Sequence, residues 1–138
     1  VRYLLDTNVV SEIRKRERTD PGVREWLAGV EGEDLAISVL VLGEIRLGIL
    51  RLARRDAEAA AHLAAWLGRL ERSYRGRTLD VDKDVVEVWA GLNAERSLSV
   101  VDSLQAATAI VHGLTLVSRN VADLDGTGAP VLNPFSPA

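Results

Sequence analysis

Two rhythms of apolar and polar positions run along the chain: short apolar runs, and longer stretches in which apolar side chains recur at helical spacing. Tyr3-Leu4-Leu5 is the first short run and ends in Asp6-Thr7-Asn8. It predicts a buried strand that delivers Asp6 into a turn ahead of a helix from Val9 to Arg16. Thr19-Asp20-Pro21 opens a second helix, with Pro at its first position, an apolar stripe of Val23, Trp26 and Leu27, and Gly29 and Gly32 closing it. Leu35-Ala36-Ile37-Ser38 predicts a second strand, followed by a helix from about Val39 to Arg54. Asp56 to Arg72 repeats Ala60, Leu63, Ala64, Leu67 and Leu70 on one face, where Trp66 packs on a neighbour. After the turn Arg75-Gly76-Arg77, Thr78 to Val81 predicts a third strand, and from Asp82 a helix turns Val85, Val88, Trp89 and Leu92 inward.

Ser99 to Gly113 is a helix of small residues, with Gly113 where a helix stop is preferred. Its face of Ala106, Ala109, Ile110 and Gly113 is narrow enough to lie close against a sheet. Leu114 to Ser118, β-branched and apolar, is the clearest strand; Arg119 to Asp123 reads as a polar turn. Val131-Leu132 forms a last small strand, and Pro134 and Pro137 end the fold. Strands that alternate with helices imply an α/β fold, a three-layer α/β/α sandwich around a central, mostly parallel sheet of four to five strands. With no repeat and no linker, residues 1–138 are expected to form a single domain.

Composition narrows the possibilities. No run of 18 apolar residues suggests a membrane span, and the opening Val1 to Asp6 does not resemble a secretory leader. The absence of cysteine removes thiolate metal sites and suits a cytoplasmic protein. A net charge of −3 argues against nucleic-acid binding by bulk charge, so distribution matters more than the sum. Four bases, Arg14, Lys15, Arg16 and Arg18, crowd into one short segment, and an arginine fork can grip phosphate with two hydrogen bonds. The plain alternative for that run is a solvated helix face.

The acids are more telling. Asp6 ends the first strand, and Asp102 lies in the first turn of the small-residue helix, where the helix dipole favours a carboxylate. Ser99 and Asp102 also have the Ser-x-x-Asp spacing of a capping pair, a purely structural reading. Glu44 has Leu40 and Val41 one turn before it and Leu47 and Gly48 one turn after, which predicts a carboxylate inside an apolar face. Such a group needs either an arginine or a site that holds a cation. Asp123 follows the fourth strand. In open parallel sheets, sites form beyond the carboxyl ends of the strands. Carboxylates gathered there, about 4 Å apart, repel by roughly 4 kcal/mol at an effective dielectric of about 20. They must take up protons, recruit arginines or bind a divalent ion, and oxygen ligands favour Mg²⁺ or Mn²⁺. Thr7, Ser38, Ser118 and Asn120 supply neutral groups to orient carboxylates or waters, while His62 and His112 are read as packing or surface residues.

These motifs together resemble the PIN domain. They are Leu4-Leu5-Asp6-Thr7-Asn8 with Ser11-Glu12, Ile37-Ser38 with Gly43-Glu44-Ile45, Val101-Asp102-Ser103 with Ala106 to Ala109, and Val117-Ser118-Arg119-Asn120 with Asp123. The likeness is narrower to VapC-type toxins of toxin–antitoxin pairs, in the subgroup ending in Asn-Pro-Phe, here Asn133-Pro134-Phe135. Val41 stands where many relatives carry Thr, and Leu124 replaces a frequent aromatic, which leaves Asp123 and Asp125 both open as the fourth acid. The resemblance implies a Mg²⁺- or Mn²⁺-dependent endoribonuclease with Asp6, Glu44, Asp102 and Asp123 as its acids. Asp6 and Asp102 would be the principal metal ligands, and Arg14, Lys15, Arg16, Arg18 and Arg119 would approach the RNA. It also implies a homodimer, a cognate antitoxin that blocks the site, and structured substrates such as tRNA or ribosomal RNA. Two rivals are a non-catalytic binding protein that keeps the fold and a receiver-like phospho-switch. The latter normally needs paired acids after the first strand and a lysine after the last, whereas Thr7 follows Asp6 and no lysine lies beyond Lys83.

Overall fold

A computed structural model describes residues 1–137. Five strands, β1 (Tyr3–Leu5), β2 (Leu35–Ser38), β3 (Thr78–Leu79), β4 (Thr115–Val117) and β5 (Val131–Leu132), form one sheet in the order β3-β2-β1-β4-β5. Every pairing is parallel; Leu4 sits opposite Ala36 on one side and Leu116 on the other. Between them run α1 (Thr7–Ile13), α2 (Pro21–Ala28), α3 (Val39–Ala53), α4 (Ala57–Ser73), α5 (Lys83–Asn93), α6 (Val100–His112) and the single turn α7 (Val121–Leu124).

Successive strand residues face opposite sides of a sheet, and here that splits the core in two. Leu5, Leu35, Ile37 and Val117 pack with Val9 and Val10 of α1, Val41, Ile45 and Ile49 of α3, and Leu67 of α4. Leu4, Ala36 and Leu116 pack with Ala106 and Ala109 of α6 and Leu124 of α7. The result is the expected three-layer sandwich, with the small side chains of α6 letting its backbone approach the sheet. Gly113 ends α6 in the left-handed conformation, at φ 66° and ψ 34°, as its position predicts.

The chain steps from β1 to β2 to β3 in one direction, then returns past β1 to β4 and β5 on the other side. Strand order therefore reverses between β1 and β4, and the crevice beyond their carboxyl ends is where such sheets place a site.

Several boundaries differ from the sequence expectation, each for a local reason. Helix α1 starts two residues early, because Asp6 caps it by accepting the Thr7 N–H at 2.8 Å. It stops at Ile13, and Arg16 takes a left-handed φ of 54° that no α-helix can continue through. The basic run is therefore a turn and one 3₁₀ turn, Arg16–Arg18, instead of the face of a helix. Strand β3 ends at Leu79, two residues short. The polar turn after β4 contains α7.

Candidate active site

Asp6 closes β1 at the crevice and is only 4% exposed. Its Oδ1 accepts from the Thr7 N–H and from Gln105 Nε2 at 3.4 Å; its Oδ2 accepts from Ser118 Oγ at 2.7 Å. A buried carboxylate supplied with donors in this way has its hydrogen-bonding capacity met and its orientation fixed. Ser118, just past β4, in turn accepts from Asn8 Nδ2 at 3.3 Å and from the Asn120 N–H at 3.0 Å. Ser38, at the end of β2, acts at one remove: its hydroxyl donates to Gln105 Oε1 at 2.7 Å. Gln105 is fully buried, and among the described residues no buried side-chain polar atom lacks a partner.

Asp102 occupies the first turn of α6, half-buried. The capping pair does not form, for Ser99 makes no side-chain cap bond. Burial, and then the charges of Asp6, Asp123 and Glu44 in that order, push the Asp102 carboxyl above the usual range; a hydrogen bond from the Asn120 side chain opposes them. Three acids from three other segments thus act on Asp102. Among the described residues the ion pairs are Lys15–Glu12 and Lys83–Glu87, so no guanidinium neutralises this group.

Glu44 corrects the sequence reading in one respect. The buried stripe of α3 is Val41, Ile45 and Ile49, while Gly43, Glu44, Leu47 and Gly48 are exposed. An apolar neighbourhood in sequence is here an uncovered one, and Glu44 reaches the site from the solvent side, where it accepts a hydrogen bond from Thr7 Oγ1. Asp123, on α7, is exposed and its charge reaches Asp102. Asp125 follows α7, and its carbonyl receives Arg96 Nη2 at 2.8 Å.

Oxygen donors with no opposing base fit a hard divalent cation. As they stand, no three acidic or imidazole groups among the described residues lie close enough together to grip one ion. A bound ion would therefore draw these side chains inward or fill its shell with water.

The predicted bases divide. Lys15 pairs with buried Glu12 at 2.9 Å, and that ammonium holds the Glu12 carboxyl below its usual range, helped by the Asp20 N–H. Arg14 lies over the Trp66 ring at 5.7 Å. Arg16 and Arg18 are exposed. Arg119 is exposed next to Ser118, its N–H donating to Asn8 Oδ1 at 3.2 Å and its guanidinium over the Phe135 ring. A small cleft of about 190 Å³ touches Thr7 and Glu44 and shares Arg14, Leu63 and Trp66 with a larger one of about 910 Å³ between α1, α3 and α4. His62 lines the larger cleft, and His112 lies on the surface.

Sequence reasoning gave no role to Gln105, nor to Asn8 and Phe135 beyond their places in the motifs that carry the family resemblance. The first had a signal: an amide one turn after Asp102, in a run otherwise small or apolar, is a buried polar group that needs a partner.

A family model described as PIN domain matches residues 3–124. The chain is 31% identical to VapC ribonuclease Y4jK of Sinorhizobium fredii, over 98% of this chain and 99% of that protein. It is 30% identical to toxin FitB of Neisseria gonorrhoeae, over 96% and 97%. Among solved structures, FitAB bound to an IR36 DNA fragment superposes with a TM-score of 0.86 at 27% identity, covering 99% of this chain and 97% of that one. FitAcB from Neisseria gonorrhoeae gives 0.85 at 29% identity, covering 96% and 97%. No described helix is long and apolar enough to cross a membrane. With its sheet order, its crevice of acids and these relatives in agreement, the chain belongs to the PIN domain family, alongside the VapC and FitB proteins.

Proposed function

We propose that this chain is the toxin of a toxin–antitoxin pair, a cytoplasmic endoribonuclease that forms one PIN nuclease domain across residues 1–138. The observation that carries this reading is Asp102 at the crevice, whose carboxyl is raised by burial and then by the charges of Asp6, Asp123 and Glu44, with no ion-paired base among the described residues to offset them. Asp6 and Asp102 would hold Mg²⁺ or Mn²⁺, with Asp123 an outer ligand. Such an ion, when bound, supplies an activated water and neutralises charge on a phosphodiester.

The chain's own groups do the rest. Thr7 Oγ1 holds Glu44 at the solvent side of the crevice, where its carboxylate serves as a ligand or takes a proton from the attacking water. Ser118 and Gln105 keep Asp6 aimed. Asn120 steadies Asp102. Arg119, Arg14, Arg16 and Arg18 meet the RNA backbone; Lys15 is committed to Glu12 and contributes less. Structured RNA, tRNA or ribosomal RNA, is the inferred substrate class.

The groove that leads from Glu44 past Trp66 into the larger cleft suits an antitoxin segment that places a basic side chain among the acids. The relatives support this, since FitB is described as a toxin and the FitAB structure carries a DNA fragment. The homodimer fits Leu47 and Leu50, which are 46% and 59% exposed on α3.

The test is to sequence the RNA ends produced by purified protein with Mg²⁺ and with chelator. Discrete ends that need metal and vanish in Asp6→Asn are expected. Identical ends in that variant would refute the assignment.

A further inference from the structure

The carboxyl-terminal segment holds a residue that none of the preceding chemistry uses. The Arg119 guanidinium carbon lies 3.8 Å from the centroid of the Phe135 ring, close enough for strong attraction between a cation and an aromatic face. Arg119 directly follows Ser118, whose hydroxyl grips Asp6, and its own N–H is tied to Asn8. Its charge reaches Glu12, but that carboxylate is already engaged by Lys15 and the Asp20 N–H. The guanidinium therefore has a fixed base, an aromatic rest and free donors.

The ring is itself held. Phe135 is half-buried against the core cluster that includes Leu5, Val9 and Val117. Asn133 Oδ1 accepts its N–H at 3.0 Å. The next residue is clamped to the start of α2, where Asp20 Oδ2 accepts from the Ser136 N–H at 2.8 Å and the Gly22 N–H donates to Ser136 Oγ at 2.9 Å. The approach is so close that a Cβ at Gly22 would lie 2.5 Å from the Pro134 carbonyl oxygen. A side chain at Arg119 without this rest would sweep through solvent and lose rotamer freedom on meeting RNA.

We propose that Phe135 is a positioning residue for RNA, its ring holding the guanidinium of Arg119, the residue after Ser118, to receive a backbone phosphate. This role rests on the ribonuclease reading above. The experiment compares wild-type protein with Phe135→Leu, Phe135→Tyr, Arg119→Ala and the double variant Phe135→Leu/Arg119→Ala. Affinity for a fluorescent RNA hairpin is measured in chelator across a salt series, alongside thermal unfolding.

Phe135→Leu is expected to weaken binding roughly three- to five-fold, Phe135→Tyr to restore it, and Phe135→Leu to add nothing once Arg119 is alanine. The tyrosine variant keeps the ring, so it separates lost stacking from lost packing. Independent, multiplying losses in the double variant would overturn the role, as would wild-type affinity in Phe135→Leu. Wild-type protein that neither binds nor cuts RNA would overturn the ribonuclease reading, and this role with it.

Discussion

Ser118 Oγ donates to Asp6 Oδ2 at 2.7 Å, joining residues 112 positions apart at the ends of the two strands where the sheet reverses its order. The contact is made possible by β1 and β4 pairing in parallel with Leu5 opposite Val117, which brings the next residue of each strand to the same edge. One hydroxyl thereby fixes the most buried acid of the site and also collects the donors of Asn8 and Asn120.

Ser118→Ala is therefore expected to destabilise the protein by about 1–3 kcal/mol, because a buried carboxylate oxygen and two donors lose their partner at once. Urea unfolding checks this. A variant within experimental error of wild type would mean that water replaces the hydroxyl without loss.

Asp102 makes stability depend on pH in a stated direction. Its carboxyl is raised in the folded chain, so the folded state binds this proton more tightly than the unfolded state does. The destabilisation is absent below the ordinary carboxyl value. It grows as pH rises from there through the raised value, then stays constant. Compared in chelator from about pH 3 to about pH 7, Asp102→Asn should gain thermal midpoint over wild type as pH rises. A midpoint difference that stays the same at every pH would show that neither burial nor the neighbouring charges raise the Asp102 carboxyl.

Gly22 lies where the carboxyl-terminal segment crosses α2, and the atoms a Cβ would meet there are backbone. Gly22→Ala is expected to cost about 1–3 kcal/mol through overpacking and to free the segment from its clamp. Faster proteolytic removal of the last residues, together with a lower unfolding midpoint, would register both effects. Unchanged proteolysis would place the segment's stability elsewhere.

Most of the architecture was legible because its signals are local. Leu114 to Ser118 and Leu35 to Ser38 announce strands by composition, and Gly113 announces a helix end by position. What was not legible depends on partners distant in the chain. Glu44 read as buried because Leu40, Val41, Leu47 and Gly48 surround it at helical spacing, yet periodicity cannot say which apolar face the fold leaves uncovered. The basic run read as a helix face because nothing in its composition shows Arg16 turning left-handed. Gln105 joins Ser38 to Asp6 across 67 and 99 positions, and Phe135 meets Arg119 only after the whole sheet is assembled. The acids themselves were legible as types at strand ends, whereas the lack of an arginine ion pair to them among the described residues appears only in three dimensions.

Calorimetric titration of Mn²⁺ into the purified, chelator-stripped protein near neutral pH tests the central claim most directly. The account predicts saturable binding to wild type, a matching rise in thermal midpoint, and loss of both in Asp6→Asn and Asp102→Asn. Heats no larger than those of dilution in wild type, or equal binding in the two variants, would contradict it.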